Sequence, residues 1–307
     1  MRQCKVFCCI LLVALCCRPA HADEVRLLAP GVWRIAGANA AISAENGAVI
    51  ANTGVISTGA GAIVIDPGPS ARHGVMLRAA IARLTPEPVR WVILSHAHPE
   101  NVLAASAFPD AEVIASAPAT ALMASRCTVC LTRLTEQLGA AAMYGTRIHL
   151  PQRRVSNGEQ LVLGKRTLRF LVFAHAHTPG DLAIVLPEAG ILFAGGLAND
   201  ARVPDMRDAA LSGWIAALET LEQGRYASVM PGHGPGTEPG VLARFGAYLK
   251  DLRAACDADL ARHGDAATSG ARLSLPAYGS WVEYDTQHRF NVARAYRERE
   301  DAQLMGQ

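Results

Sequence analysis

His96 and His98 are separated by one residue in the stretch Ser95-His96-Ala97-His98-Pro99-Glu100-Asn101, directly after the apolar run Val89 to Leu94. In extended backbone, side chains two residues apart share a face. Both imidazoles can therefore reach one metal ion at about 2.0–2.1 Å, and neutral imidazole suits zinc. A lone His-x-His also fits two ordinary surface or core histidines. Three further features converge on the metal reading. His177 stands in His-Thr-Pro-Gly-Asp and His233 in Pro-Gly-His-Gly, each after a segment that reads as a strand. Asp66, in Ile-Asp-Pro-Gly, closes the strand expected beside His96. All four places are strand C-terminal ends, where an open α/β layout puts its ligands. In this order and spacing they describe a metal site or its direct descendant.

The elements that must position these residues read as two α/β halves. Val32 to Ile35, Ala48 to Ala51 and Ala62 to Ile65 are expected as short strands between Gly- and Asn-rich turns. Residues 73 to 84 carry apolar positions at helical spacing, Val89 to Leu94 is a buried strand, and Val102 to Phe108 a short helix. Glu112 to Ala115 is a strand, and residues 116 to 146 form an Ala-rich helical insert. The second half offers strands at Thr167 to Phe173, Leu182 to Leu186, Ile191 to Ala194 and Ala227 to Met230. Helices are expected at Leu211 to Leu221 and Val241 to His263, followed by an aromatic-containing tail with a charged helix at Arg289 to Glu300. Two halves that each present histidines from strand ends predict an αββα sandwich with its site at the rim between two sheets.

The start of the chain reads as a cleavable export signal at residues 1–22. Arg2 and Lys5 precede an apolar run from Val6 to Cys17, and Ala20-His21-Ala22 fits a small-x-small cleavage pattern. Twelve apolar residues fall short of the roughly 20 that span a bilayer. The expected location is therefore the periplasm, with no membrane insertion after cleavage. Cleavage removes Arg2, Lys5 and Arg18 from 29 basic residues, leaving 26 against 27 acidic ones, a net charge near −1. There is no basic stripe for nucleic acid and no polybasic tract for anionic lipid. Residues 23–263 then form the main domain and 264–307 a C-terminal extension. Of eight cysteines, Cys127, Cys130 and Cys256 lie outside the signal. Cys127 and Cys130 are spaced for a local disulfide in an oxidising compartment, for reduced or metal-assisted roles, or for redox work. A closed zinc knuckle would need a second pair that is not there.

The stretches VILSHAHPEN, AHTPGDLAIVLPEAGILFAGG and MPGHGP resemble the metallo-β-lactamase superfamily over about residues 27 to 250. The Cys-x-x-Cys helical insert, Ser212-Gly213-Trp214 and the tail stretch His288-Arg289-Phe290-Asn291-Val292 are similar to its exported branch, the quinoprotein relay system zinc metallohydrolases. The superfamily resemblance implies a zinc enzyme whose first metal is held by His96, His98 and His177, with His233 as the histidine of a second metal. The branch implies work near periplasmic quinoprotein dehydrogenases and their cytochromes. Where the family has His-x-His-x-Asp-His, the last two positions here are Glu100 and Asn101, and the bridging aspartate is replaced by Gly196. That leaves the second site with one sure ligand and predicts about one zinc per chain. Restoring Asp at 100, His at 101 and Asp at 196 is expected to raise metal content.

Three histidines and a water form a complete catalytic set, since zinc lowers the pKa of its water to about 7. Glu100 is the candidate general base. Asp181 either caps its loop or holds a ligand imidazole through its second nitrogen. His175 is a partner or substitute ligand, or an ordinary polar residue, and His73, His149, His263 and His288 are expected at the surface. The reading is a mononuclear zinc hydrolase acting on a small, unidentified molecule. Its alternatives are a non-catalytic relative that binds metal or a partner protein, and a thiol- or sulfur-handling protein using Cys127 and Cys130.

Overall fold

A computed structural model describes residues 24–305; the signal segment expected at 1–22 lies outside them. The chain begins with β1 (Val25–Ala29), β2 (Val32–Ile35), β3 (Thr53–Ser57), β4 (Ala62–Ile65) and α1 (Ala71–Leu84). Next come β5 (Val89–Ile93), α2 (Pro99–Val102), β6 (Glu112–Ser116), α3 (Ala117–Leu138), α4 (Ala140–Met143) and β7 (Arg153–Val155). The second half contains β8 (Gln160–Leu163), β9 (Arg166–Val172), β10 (Leu182–Leu186), β11 (Ile191–Asn199), α5 (Leu211–Glu222) and β12 (Ser228–His233). It closes with α6 (Gly240–Leu260), α7 (Ala266–Arg272) and α8 (Tyr284–Met305).

Two sheets result, one in the order β1-β2-β3-β4-β5-β6-β7 and one in the order β12-β11-β10-β9-β8. Their central strands, such as β4, β10 and β11, are apolar on both faces, because each sheet is covered twice there. In β4, Ile63 and Ile65 point at the other sheet, while Ala62 and Val64 point at the helices. In β10, Leu182, Ile184 and Leu186 face inward, and Ala183 and Val185 face outward. The outer face of the first sheet packs on Leu77 and Ile81 of α1 and Met123 of α3. The outer face of the second packs on Trp214 and Leu218 of α5, Phe245 and Leu249 of α6, and Val292 and Tyr296 of α8. Each such side chain contributes about 1.5–3 kcal/mol on burial. The architecture is the αββα sandwich expected from the sequence.

Several local expectations change. Ala48 to Ala51 is not a strand: Asn46 Oδ1 accepts from the amides of Ser43 and Ala48 at 3.0 Å each, holding a turn through Gly47 and Ala48, both at positive φ. The pairing strand is β3, five residues later. The helix expected at Val102 to Phe108 is a 3₁₀ turn at Leu103–Ala107 that follows the single turn of α2. His73 and His288, expected at the surface, are buried. His288 stacks on Tyr284 at 4.6 Å, and its Nδ1 lies 3.2 Å from the Tyr248 hydroxyl. Cys127 and Cys130 are free thiols on α3 rather than a disulfide. Helix neighbours three apart hold their Cβ atoms about 5–6 Å from each other, beyond the 3.5–4.5 Å of a disulfide.

Candidate metal centre

β5 and β4 run parallel, so the loops after them meet at one end of the first sheet. The loop after β5 carries His96 and His98, with His98 at the N-cap of α2 in extended backbone. His177 comes from the loop between β9 and β10, in the second sheet. The three side chains meet across the gap between the sheets, each offering a ligand nitrogen within 4.8 Å of the others. Ring centroids lie 4.9 Å apart for His96–His98 and for His96–His177, and 4.5 Å apart for His98–His177.

His96 is fixed by a directed chain of hydrogen bonds. Asp66, at the end of β4, accepts from the Ser95 amide (2.8 Å) and the Ser95 hydroxyl (2.7 Å). With its proton given to Asp66, Ser95 Oγ is left to accept from His96 Nδ1 at 2.8 Å. His96 thus carries its proton on Nδ1 and turns the Nε2 lone pair to the centre, where Asn101 Nδ2 lies 3.2 Å away. Burial pushes the Asp66 carboxyl up to about 7, against the pull of the two Ser95 bonds.

The electrostatics suit a cation. Burial, then the neighbouring imidazoles, drive His96 and His177 well below the ordinary histidine range, so both are neutral as metal ligands must be. Burial lowers His98 as well, but Asp208 and Glu100 outweigh it and leave this one ring raised. Its Nδ1 lies 3.7 Å from Glu100 Oε1 and its Nε2 lies 3.8 Å from Asp208 Oδ2. His98 Nε2 and His177 Nδ1 are buried without a hydrogen-bond partner among the described residues. Three imidazoles whose ligand atoms lie this close together, in a site flanked by the carboxylates of Glu100 and Asp208, could hold a metal ion.

His233, at the end of β12, stays outside the three-histidine group. Its Nδ1 bonds to the Ile50 carbonyl at 3.0 Å, and burial, then the charge of Arg202, lower it to about 4. Asn52 ties its strand end to the first sheet by donating to the carbonyls of Pro231 (3.0 Å) and Gly234 (2.9 Å). Gly196, in β11, lies against the ligand rings: a Cβ there would stand 2.3 Å from His177 Nδ1 and 3.0 Å from His96 Cε1. An aspartate restored at 196 therefore requires the His177 ring to shift, so the gain in metal content expected of the triple restoration depends on that movement. The His177 ring is backed by Trp214 at 4.8 Å, and Trp214 Nε1 donates to the Leu197 carbonyl at 2.9 Å.

Of the two roles open to Asp181, the structure shows the loop cap. It accepts from Thr178 N and Thr178 Oγ1, both at 2.8 Å, and burial raises it to about 7 against those bonds. His175 is exposed and turned away, its Nε2 2.7 Å from the Asp208 carbonyl oxygen. A second carboxylate beside the His98 ring, on the side away from Glu100, is Asp208, and sequence reasoning missed it. Asp208 belongs to the segment 200–210, between β11 and α5, together with Arg202 and Asp205. The usable signal was a long connection at a strand's C-terminal end in an α/β layout, where functional loops concentrate.

The metallo-beta-lactamase superfamily model matches residues 46–233. No curated protein sequence matches the chain at a significant level. Among solved structures, a metallo-beta-lactamase from Pontibacter korlensis is similar with a TM-score of 0.59 and 21% identity, over 75% of this chain and 99% of that one. The FIM-1 metallo-beta-lactamase from Pseudomonas aeruginosa, in its mono-zinc form, gives 0.58 and 16%, over 75% and 95%. A metallo-beta-lactamase from Hirschia baltica gives 0.57 and 18%, over 74% and 97%. At these identities the solved structures speak for the fold. The family model, by contrast, spans more than half of the sequence and takes in His96, His98, His177 and His233. On that match, and with three of those histidines gathered at one point between two sheets, the chain belongs to the metallo-beta-lactamase superfamily.

Proposed function

We propose that this chain is an exported hydrolase with one zinc ion per molecule, working in the periplasm on a small ester, thioester or related substrate. The observation that carries the reading is the asymmetry of the centre. His96, His98 and His177 are clustered and buried, with Glu100 beside them, whereas the second position keeps only His233. Around it, Asn101 offers an amide where the family has a histidine, and Gly196 offers no side chain at all. Zinc held by the three imidazoles would supply a Lewis acid and a water acidic enough to ionise near pH 7. Glu100, 3.7 Å from His98 Nδ1, would be the general base for that water and the acid for the leaving group. Asp66 and Ser95 keep His96 in the ligand tautomer, and Trp214 closes the site behind His177. The Cys-x-x-Cys insert and the tail motifs support a place beside quinoprotein dehydrogenases or their cytochromes.

One observation favours a second reading, a non-catalytic relative that binds metal or a partner protein. Asn101 Nδ2 lies 3.2 Å from His96 Nε2, the nitrogen a metal would use. A hydrolysis panel of esters, thioesters and lactams on the zinc-loaded protein separates the two. The hydrolase reading expects turnover that falls about 10²- to 10⁴-fold in Glu100→Gln with zinc content unchanged. Full zinc occupancy with no turnover on any of the panel decides for the binding protein.

A further inference from the structure

The segment 200–210 reaches the ligand histidines from one side and the C-terminal extension from the other. Asp208 Oδ2 stands 3.8 Å from His98 Nε2, and Arg126 of α3 pairs with Asp208 Oδ1. The Asp208 main chain is gripped as well, its carbonyl oxygen 2.7 Å from His175 Nε2. The Asp205 main chain faces the His177 ring. Two of the three ligand imidazoles thus lean on this one segment.

The segment has no secondary structure of its own to hold it, and the extension holds it on both sides of Asp205 to Asp208. Val282 exchanges main-chain hydrogen bonds with Ala201 and Val203 at 3.0 Å each. Glu283 pairs with the buried guanidinium of Arg202. Asn291 Nδ2 donates to the Pro204 carbonyl at 2.8 Å, and Arg294 Nη2 to the Ala209 carbonyl at 2.7 Å. Glu298 accepts from the amides of Leu211 (2.7 Å) and Ser212 (2.9 Å), capping α5 where the segment ends. All of these residues of the extension lie beyond residue 233, where the family match stops.

We propose that Asp208 is a positioning residue that holds His98 for the metal, and that the C-terminal extension is a working part of the metal centre because it holds Asp208's segment in place. Asp208 takes the Nε2 side of the His98 ring, leaving Nδ1, the nitrogen facing Glu100, for the metal. A carboxylate on the far nitrogen of a ligand imidazole fixes its tautomer and raises its basicity. The inference rests on the metal reading above and adds to it residues outside the family's matched region.

The test compares zinc affinity, by competition with a chromophoric chelator, and the visible spectrum after cobalt(II) loading. The proteins are the full-length mature chain, Asp208→Asn, Asp208→Glu, and the double variant Arg294→Met with Glu298→Ala. Asp208→Asn is expected to lose about 10- to 100-fold in zinc affinity and to shift the cobalt bands. Asp208→Glu is expected to recover part of both, which a merely structural effect would not do. The tail variant, folded by circular dichroism, is expected to change in the same direction as Asp208→Asn. Wild-type binding with an unchanged Asp208→Asn overturns the role of Asp208, and an unchanged tail variant overturns the role of the extension. A wild type that takes no metal overturns both, and with them the metal reading itself.

Discussion

Asp66→Asn is expected to weaken metal binding although residue 66 touches no ligand atom. In the wild type Ser95 Oγ gives its only proton to Asp66 Oδ2 (2.7 Å), and so accepts from His96 Nδ1 (2.8 Å). An asparagine keeps its oxygen on the Ser95 amide and turns its NH₂ toward Ser95 Oγ. The hydroxyl then accepts from the new side-chain amide, and its own proton, no longer taken by residue 66, is free to turn to His96. That moves the imidazole proton to Nε2 and blocks the nitrogen that faces the centre. Disturbing such a supporting partner costs about 10- to 100-fold in metal affinity, or about 1.4–2.7 kcal/mol. Ser95→Ala removes the support without imposing the wrong tautomer, so it is expected near the tenfold end. Zinc titration of the three proteins against a chelator, with thermal melts to confirm folding, reads this order directly. Burial brings Asp66 to about 7, with the Ser95 bonds opposing it. Acidification through that range protonates the carboxyl, and the gap between wild type and Asp66→Asn should narrow. An Asp66→Asn protein that binds zinc within twofold of wild type, or more tightly than Ser95→Ala, would refute the directed chain.

Gly196→Ala places a Cβ 2.3 Å from His177 Nδ1, so it is expected to cost about 1–3 kcal/mol in chemical unfolding and to weaken zinc binding; unchanged values for both would show that the ring has room to move. His233 is held at about 4 by burial and then by Arg202, against about 6.5 in the unfolded chain. The folded state therefore binds fewer protons across that window, and stability falls as pH drops from about 6.5 to about 4, by about 3 kcal/mol in all. Metal-free His233→Gln should show a correspondingly flatter acid limb in urea midpoints, and an acid limb identical to wild type contradicts the assignment. Protein beginning at residue 23 should yield three titratable thiols after unfolding without reductant, Cys130 reacting first in the folded state because Cys127 and Cys256 are buried and raised by that burial to about 12. A single thiol would restore the Cys127–Cys130 disulfide.

The layered fold was legible because the central strands of both sheets are buried on both faces and read as uninterrupted apolar runs such as Ala62 to Ile65 and Leu182 to Leu186. The three clustered histidines were legible for a related reason: each follows such a run directly or closes a loop beside it. Short strands with one solvated face were not. β7 (Arg153–Val155) and β8 (Gln160–Leu163) carry charge or an exposed Val162, and only pairing with a neighbour identifies them. Asp208, Arg126 and Asp205 were invisible because they reach the centre through tertiary contacts between a loop, a helical insert and a tail far apart in sequence. His175 and Asp181 had the expected spacing from His177. Their roles were decided by the tight turn around Pro179, which spends Asp181 on Thr178 and leaves His175 in solvent beside Asp208.

The most direct test of the account is metal content by elemental analysis on protein exported, purified without chelator and compared with His96→Ala and His177→Ala. The account predicts about one zinc per wild-type chain and little in either variant. Two tightly held ions per chain, or one that survives the loss of His96, would contradict a single centre built on these three histidines.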